Sequence, residues 1–389
     1  MLMDRINQRV KKIEISDIRQ FDAQVSQIPD VIKLTIGEPD FTTPEHVKEA
    51  GIQAIKENVT RYSGMSGFLE VREAAASFVK KKYGVVYNPE TEILATVGAT
   101  EALSAILLTI LEAGDKILVP TPLYPGYLPL ITLTGAIPVF LNTAVNNFVL
   151  TPEMIEQAMI EHGKKVKAII LNYPSNPTGV TYSRKEVVTI AKTLSKYEIF
   201  VLSDEVYSEL TYGATHVSLG EYLFDQTIVV NGLSKSHSMT GWRLGFTFAP
   251  EAITEELIKT HQYLVTATSS ISQMAAVEAL TKGCDDGAIM RQEYEKRRDF
   301  VYQKMKKLGF EIARPNGAFY LFAKIPNSFI QHSFDFCRDL AMKNKVALIP
   351  GSAFGKAGEG YVRLSYAADM EKLILAMKRL EKYLNENGK

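Results

Sequence analysis

A lysine amine attacks a carbonyl only when deprotonated, so a reactive lysine needs surroundings that depress its pKa. Lys235 stands in the run Asn231-Gly232-Leu233-Ser234-Lys235-Ser236-His237-Ser238-Met239-Thr240-Gly241-Trp242-Arg243. Small hydroxyl residues and glycines hem it in, and Arg243 offers a fixed guanidinium fork for a phosphate, with the Ser234 hydroxyl beside the lysine. That neighbourhood suits a covalently held, phosphorylated carbonyl compound. Taken alone, a lysine belongs on a solvated surface.

Three further stretches carry chemistry. Asp204 ends an apolar run, where a carboxylate bears a desolvation cost unless it meets a cation, and Tyr207 follows three positions later. A helix cap is the plainer reading of Asp204. In Asn172-Tyr173-Pro174-Ser175-Asn176-Pro177-Thr178-Gly179 the proline beside Asn176 stiffens the backbone that presents its amide, and a simple turn is the alternative. Gly98-Ala99-Thr100-Glu101 opens a helix whose free N–H groups suit a phosphate, or marks a tight turn and nothing more.

These residues need elements that bring them together. Short β-rich runs at Ile93–Val97, Lys116–Val119, Val166–Leu171, Ile199–Ser203, Thr227–Asn231 and Leu244–Phe248 alternate with helical stretches. Their continuous apolar character predicts an α/β fold with a mostly parallel sheet covered on both faces. Ligands collect at the carboxyl ends of such strands, where these residues stand. Thr43-Pro44 and Thr151-Pro152 each read as a cap followed by proline at the first helical position. From about Asp285 a long charged helix, Ile289–Lys307, and shorter runs predict a second domain, ending in a helix from Asp369 to about Asn385. The expected division is residues 1–40 as a segment packing on the small domain or a partner subunit, 41–280 as the large domain, and 281–389 as the small one.

The 389 residues carry 44 basic and 44 acidic side chains, so no global field favours nucleic acid or an anionic membrane, and a small-molecule substrate is expected. Cys284 and Cys337 form neither a metal-ligand cluster nor an oxidoreductase pair, no apolar signal segment opens the chain, and a cytoplasmic location is expected.

In this order and spacing the motifs resemble the class I and II aminotransferase family of fold-type I, pyridoxal-5′-phosphate enzymes. The resemblance runs from Ile36-Gly37-Glu38-Pro39-Asp40-Phe41 to Val362-Arg363-Leu364-Ser365. It implies a seven-stranded, mostly parallel sheet between helices in the large domain, with a smaller α+β domain. It also implies that Lys235 holds the cofactor as an imine and later shuttles a proton, while Asp204 keeps the pyridine nitrogen protonated. Tyr207 and Asn176 would bond the ring oxygen, and Tyr124 would stack on the ring. The phosphate would be held by Ala99, Thr100, Ser234, Arg243 and Tyr62, the last from the partner of a homodimer. Gly37, Asn176 and Arg363 would bind the substrate α-carboxylate. Many relatives carry serine where this chain has Gly232, which shifts weight onto Ser234.

The implied reaction is a ping-pong exchange of an amino group between an L-amino acid and 2-oxoglutarate. The runs around Asp204 and Lys235 look like both bacterial aromatic amino acid aminotransferases and N-acetyl-L,L-diaminopimelate aminotransferases. The expected side-chain pocket, Ile13–Phe21 with Asn316–Tyr320, favours large apolar groups, whereas Arg19 could meet a distal carboxylate. Thr100 stands where some aspartate-specific relatives have lysine. A C–S β-lyase of the same fold is the alternative activity. A cofactor-sensing regulator needs a DNA-binding module that the forty residues before Gly37 hardly accommodate.

Overall fold

The computed structural model describes residues 2–388 and arranges thirteen strands in three sheets. β1 (Ile32–Lys33) pairs in parallel with β11 (Val346–Ala347). The largest sheet holds β2 (Ile93–Thr96), β3 (Lys116–Thr121), β4 (Ile137–Asn142), β5 (Val166–Asn172), β6 (Phe200–Asp204), β7 (Thr227–Gly232) and β8 (Gly245–Phe248). Their spatial order is β2-β8-β7-β6-β5-β3-β4, and only β8 runs against the rest. Strand order reverses between β5 and β3, which places a crevice at their carboxyl ends.

Alternation along each strand builds two cores. Ile169, Leu171 and Val201 point into a cluster with Ile155, Val187 and Ile190. Ala168, Ile170 and Leu202 point the other way, against Leu103, Ile106 and Ile131. A third cluster, with Phe246, Phe248 and Ala275, covers the β2–β8 end.

The second sheet is antiparallel, in the order β12 (Ile349–Pro350), β13 (Tyr361–Ser365), β10 (Tyr320–Lys324) and β9 (Glu311–Ile312). It packs with the helices Gly287–Lys307, Ser333–Asn344 and Met370–Asn387. Phe21, Val25 and Leu34 are buried in that same cluster, so the segment from Asp17 onward lies on the smaller sheet. Farther upstream, Arg9 donates to the carbonyls of Leu133 and Thr134, at the end of a helix of the larger sheet.

Two sequence expectations need adjustment. β4 was not anticipated: it is an edge strand with Ile137 and Phe140 about half exposed, so its apolar pattern is broken. At the helix Glu45–Lys56 the N-cap is Pro44 rather than Thr43. The Thr43 hydroxyl donates instead to Ser238 O at 2.8 Å and accepts from Trp242 Nε1 at 3.1 Å, tying this segment to the loop after Lys235. At Thr151 the expected cap is present, with its side chain accepting from Met154 N and Pro152 in the first turn.

Candidate active site

β7 ends at Gly232, and a one-turn helix, Leu233–Ser236, follows it and carries Lys235. A Cβ on Gly232 would lie 3.2 Å from both Gly245 Cα and Leu244 O, so even a serine would crowd β8. The Lys235 amine donates to Gly37 O at 2.6 Å and lies 5.7 Å from the Tyr207 ring centre and 5.8 Å from that of Phe319. Although the residue is only partly covered, desolvation by these walls lowers its pKa to about 8; Arg363 and Arg243 lower it further, against the opposing charge of Glu38. A fraction of the amine is thus neutral near physiological pH, as nucleophilic attack requires.

Asp204 closes β6 and is buried. Burial pushes its pKa up to about 6; the Tyr127 hydroxyl, donating at 2.5 Å, and Val206 N oppose the rise, while Glu205 adds to it. The carboxylate is therefore under-solvated, which suits it to a cationic partner such as a pyridinium N–H. Tyr207 follows, and its hydroxyl bonds that of Tyr320 at 2.9 Å. Burial raises the Tyr207 phenol well above the usual range.

Asn176 and Arg363 meet across the two sheets. Arg363, buried on β13, donates through Nη1 to Asn176 Oδ1 at 3.0 Å and through Nη2 to Thr35 O at 2.7 Å. Its guanidinium centre is 4.4 Å from the Tyr320 ring centre and 4.9 Å from that of Phe354. Its buried Nε has no hydrogen-bond partner among the described residues. A buried N–H left unpaired costs about 1–3 kcal/mol, so this edge suits an incoming carboxylate. Asn176 N in turn donates to Asn172 Oδ1, and Asn172 Nδ2 to Asp204 O, linking this corner to the acid.

The helix Gly98–Ile110 begins at the end of β2 with Gly98 at φ +71°. A Cβ there would come within 2.5 Å of Arg243 Nη2, so the arginine lies directly over this helix start, which Ala99 and Thr100 continue. Arg243 forms no ion pair among the described residues. A helix N-terminus, a guanidinium without a carboxylate and the neighbouring Ser234 fit a phosphate. The donor set thus fits pyridoxal phosphate at both of its charged ends, and Tyr124 packs edge to face on Tyr127, whose hydroxyl bonds Asp204. Tyr62 is the exception: it is 86% exposed and reaches none of these residues within one chain.

Sequence reasoning gave no role to Tyr127, Thr35 or Phe354, and placed Tyr320 only in the side-chain pocket. The spacing Tyr124-x-x-Tyr127 was the one available signal: a turn in which Tyr127 N donates to Tyr124 O at 3.2 Å brings the rings edge to face at 5.3 Å.

Comparison with known proteins shows the family and the fold. The family model "Aminotransferase class I and II" matches residues 29–380. A Bacillus subtilis protein named "Probable N-acetyl-LL-diaminopimelate aminotransferase" is 51% identical over 97% of this chain and 95% of its own. The crystal structure of the aromatic aminotransferase from Pyrococcus horikoshii superposes with a TM-score of 0.88 at 39% identity, over 94% of this chain and 99% of that one. Aspartate aminotransferase from Thermus thermophilus does so at 0.91 and 32%, over 97% and 99%. The chain belongs to the class I and II aminotransferases and is a pyridoxal-phosphate-dependent enzyme of that family.

Proposed function

We propose that this aminotransferase exchanges an amino group between 2-oxoglutarate and an aromatic L-amino acid or N-acetyl-L,L-diaminopimelate, in two half-reactions at one site. The observation that carries the site assignment is the buried Arg363 edge, held by Asn176 and Thr35 on the same cleft as Lys235. Its fork takes the α-carboxylate in a bidentate pair, which a lysine would not reproduce, and Gly37 supplies close backbone approach. A Cβ at Gly37 would lie 2.9 Å from Tyr320 Oη, so a larger residue there would have to displace that hydroxyl.

Pyridoxal phosphate supplies an electron sink that makes the substrate α-proton acidic. Lys235 would hold the cofactor and, once released, would shuttle the proton between the substrate α-carbon and the cofactor's reacting carbon on the far side of the shared nitrogen. Asp204, braced by Tyr127, holds the proton on the ring nitrogen. Tyr207, with Asn176, donates to the ring oxygen, and Tyr124 packs on the ring face. Ala99, Thr100, Ser234 and Arg243 hold the phosphate, with Tyr62 reaching in from the second subunit of a homodimer. Its 86% exposure in one chain supports that last role. Residues 41–280 act as the cofactor-binding domain and 281–389 as the small domain; within 1–40 the stretch from Asp17 packs on the small domain, while Arg9 reaches the helix Tyr127–Thr134 of the large one.

The test is a half-reaction panel without keto acid, using N-acetyl-L,L-diaminopimelate, phenylalanine, tyrosine, aspartate and glutamate. Stoichiometric pyridoxamine phosphate with one of the first three and with glutamate supports the reading. Catalytic pyruvate and ammonia would replace it with a lyase.

A further inference from the structure

Lys235 sits on a helix of one turn, Leu233–Ser236, closed by His237 N donating to Leu233 O at 3.1 Å. One turn does not hold its own shape, because fixing its dihedrals costs more than its few hydrogen bonds offset. The position of the amine therefore depends on what anchors the residues beside it. Those anchors lie at the start of the helix Gly287–Lys307. His237 is buried, with Nε2 2.9 Å from Gly283 O and Nδ1 2.8 Å from the Ser236 hydroxyl. A carbonyl oxygen only accepts, so Nε2 carries a hydrogen. Burial lowers the ring's pKa, opposed by the Gly283 carbonyl and by Asp286, so the ring is neutral and its Nδ1 accepts from Ser236. One residue on, Ser238 has a left-handed φ of +54°, a conformation that persists only where its surroundings hold it. Its hydroxyl contacts Met290 Sδ at 3.4 Å and its carbonyl accepts from Thr43. Gly287 lies against the same turn, where a Cβ would stand 2.7 Å from Ser236 O.

The anchor is itself pinned: His46 bonds Glu278 at 3.1 Å and Asp286 at 2.8 Å, on either side of Gly283. The same helix also reaches the far end of the lysine. Tyr294 Oη donates to Asp40 Oδ1 at 2.9 Å and Arg297 pairs with that carboxylate at 2.8 Å, three residues after Gly37, whose carbonyl accepts from the Lys235 amine. We propose that His237 is a positioning residue for proton transfer at the substrate α-carbon, its two ring bonds tying the turn under Lys235 to Gly283 and so fixing where the freed amine reaches. This rests on the aminotransferase reading above, with Lys235 as the base. An apolar side chain of similar size would still pack near Phe78, but it would lose the bond to the buried Gly283 and let the turn shift. A displacement of about 1 Å at a reacting group costs about a hundred-fold in rate, so a residue that touches neither substrate nor cofactor governs the step.

The test uses His237→Leu, His237→Gln, whose amide can take the place of the Nε2 donor, and Gly287→Ala, which presses on Ser236 O from the other side. In the first arm, hydrogen exchange of the cofactor-free proteins is followed by mass spectrometry on the peptide containing Lys235. Its protection should fall about ten-fold in His237→Leu and return in His237→Gln. In the second arm, the loaded enzymes meet glutamate and α-deuterated glutamate without keto acid. The rate at saturation should fall about ten- to a hundred-fold in His237→Leu, with an unchanged half-saturation concentration and a primary isotope effect, recover in His237→Gln, and fall again in Gly287→Ala. A wild-type rate in His237→Leu, with or without lost protection, overturns the assignment. So does a loss confined to the half-saturation concentration, or a slowed variant with no isotope effect. Should His237→Leu not fold, Gly287→Ala decides, and a wild-type rate there overturns it. A wild type that forms no pyridoxamine phosphate from any amino acid would overturn the proposed reaction instead, and the exchange arm would still decide whether His237 holds the turn.

Discussion

Asp204 allows the cost of building this site to be measured. Its pKa is about 6 in the folded chain, raised chiefly by burial, against 3.8 for a free carboxyl. Below pH 3.8 both folded and unfolded chains hold the proton, and the group contributes no penalty. As pH rises from there to 6 the unfolded chain releases the proton while the folded chain keeps it, so stability falls; above 6 the penalty is constant. Linkage over that interval gives about 1 kcal/mol at pH 4.5 and about 3 kcal/mol at pH 7.5. Asp204→Asn removes the charge and keeps an oxygen for Tyr127, but adds an amide N–H worth about 1 kcal/mol if unpaired. The cofactor-free variant should therefore match the wild type near pH 4.5 and exceed it by about 2 kcal/mol at pH 7.5, a rise of about 2–3 °C in Tm for a chain of this size. Thermal melts of both cofactor-free proteins at fixed concentration across pH 4–8 measure this. A variant less stable at pH 7.5, or a gap that does not change with pH, would refute the claim that Asp204 is held in the fold at a cost.

Other substitutions probe the remaining contacts. Gly98→Ala puts a Cβ 2.5 Å from Arg243 Nη2 at a left-handed φ, so cofactor affinity should drop about ten-fold in a titration of cofactor-free enzyme, and unaltered affinity would move the phosphate elsewhere. Arg363→Lys loses the bidentate fork and the packing on Tyr320 and Phe354; KM should rise about ten-fold or more for every amino acid alike, whereas an effect confined to one side chain would remove Arg363 from the α-carboxylate site.

Much of this was legible in the sequence because parallel strands buried on both faces must be apolar throughout, and because the chemistry stands at their ends. Ile169, Ile170 and Leu171 mark β5 and point to Asn176; Val201 and Leu202 mark β6 and point to Asp204. Side chains whose role is set by tertiary contact were not legible. Tyr127 reads as one aromatic among several until folding sets its hydroxyl on Asp204. Glu205 reads as a surface acid, yet it is buried, accepting from Ser203, Ser218, Leu219 N and Tyr173 and paired with His216. Thr43 has the right sequence for a cap, but its hydroxyl is drawn off to Ser238. The exposed edge of β4 breaks the apolar pattern that revealed the interior strands.

The central claim is that Lys235, in its neutral form favoured by the cleft, is the residue that carries the cofactor. Borohydride treatment of the loaded enzyme fixes a lysine-bound cofactor permanently, and peptide mass mapping then locates it. The account predicts the added mass on the peptide containing Lys235 and its disappearance in Lys235→Ala. Label on a different lysine of the wild-type enzyme, or a Lys235→Ala protein that still transaminates at the wild-type rate, would contradict it.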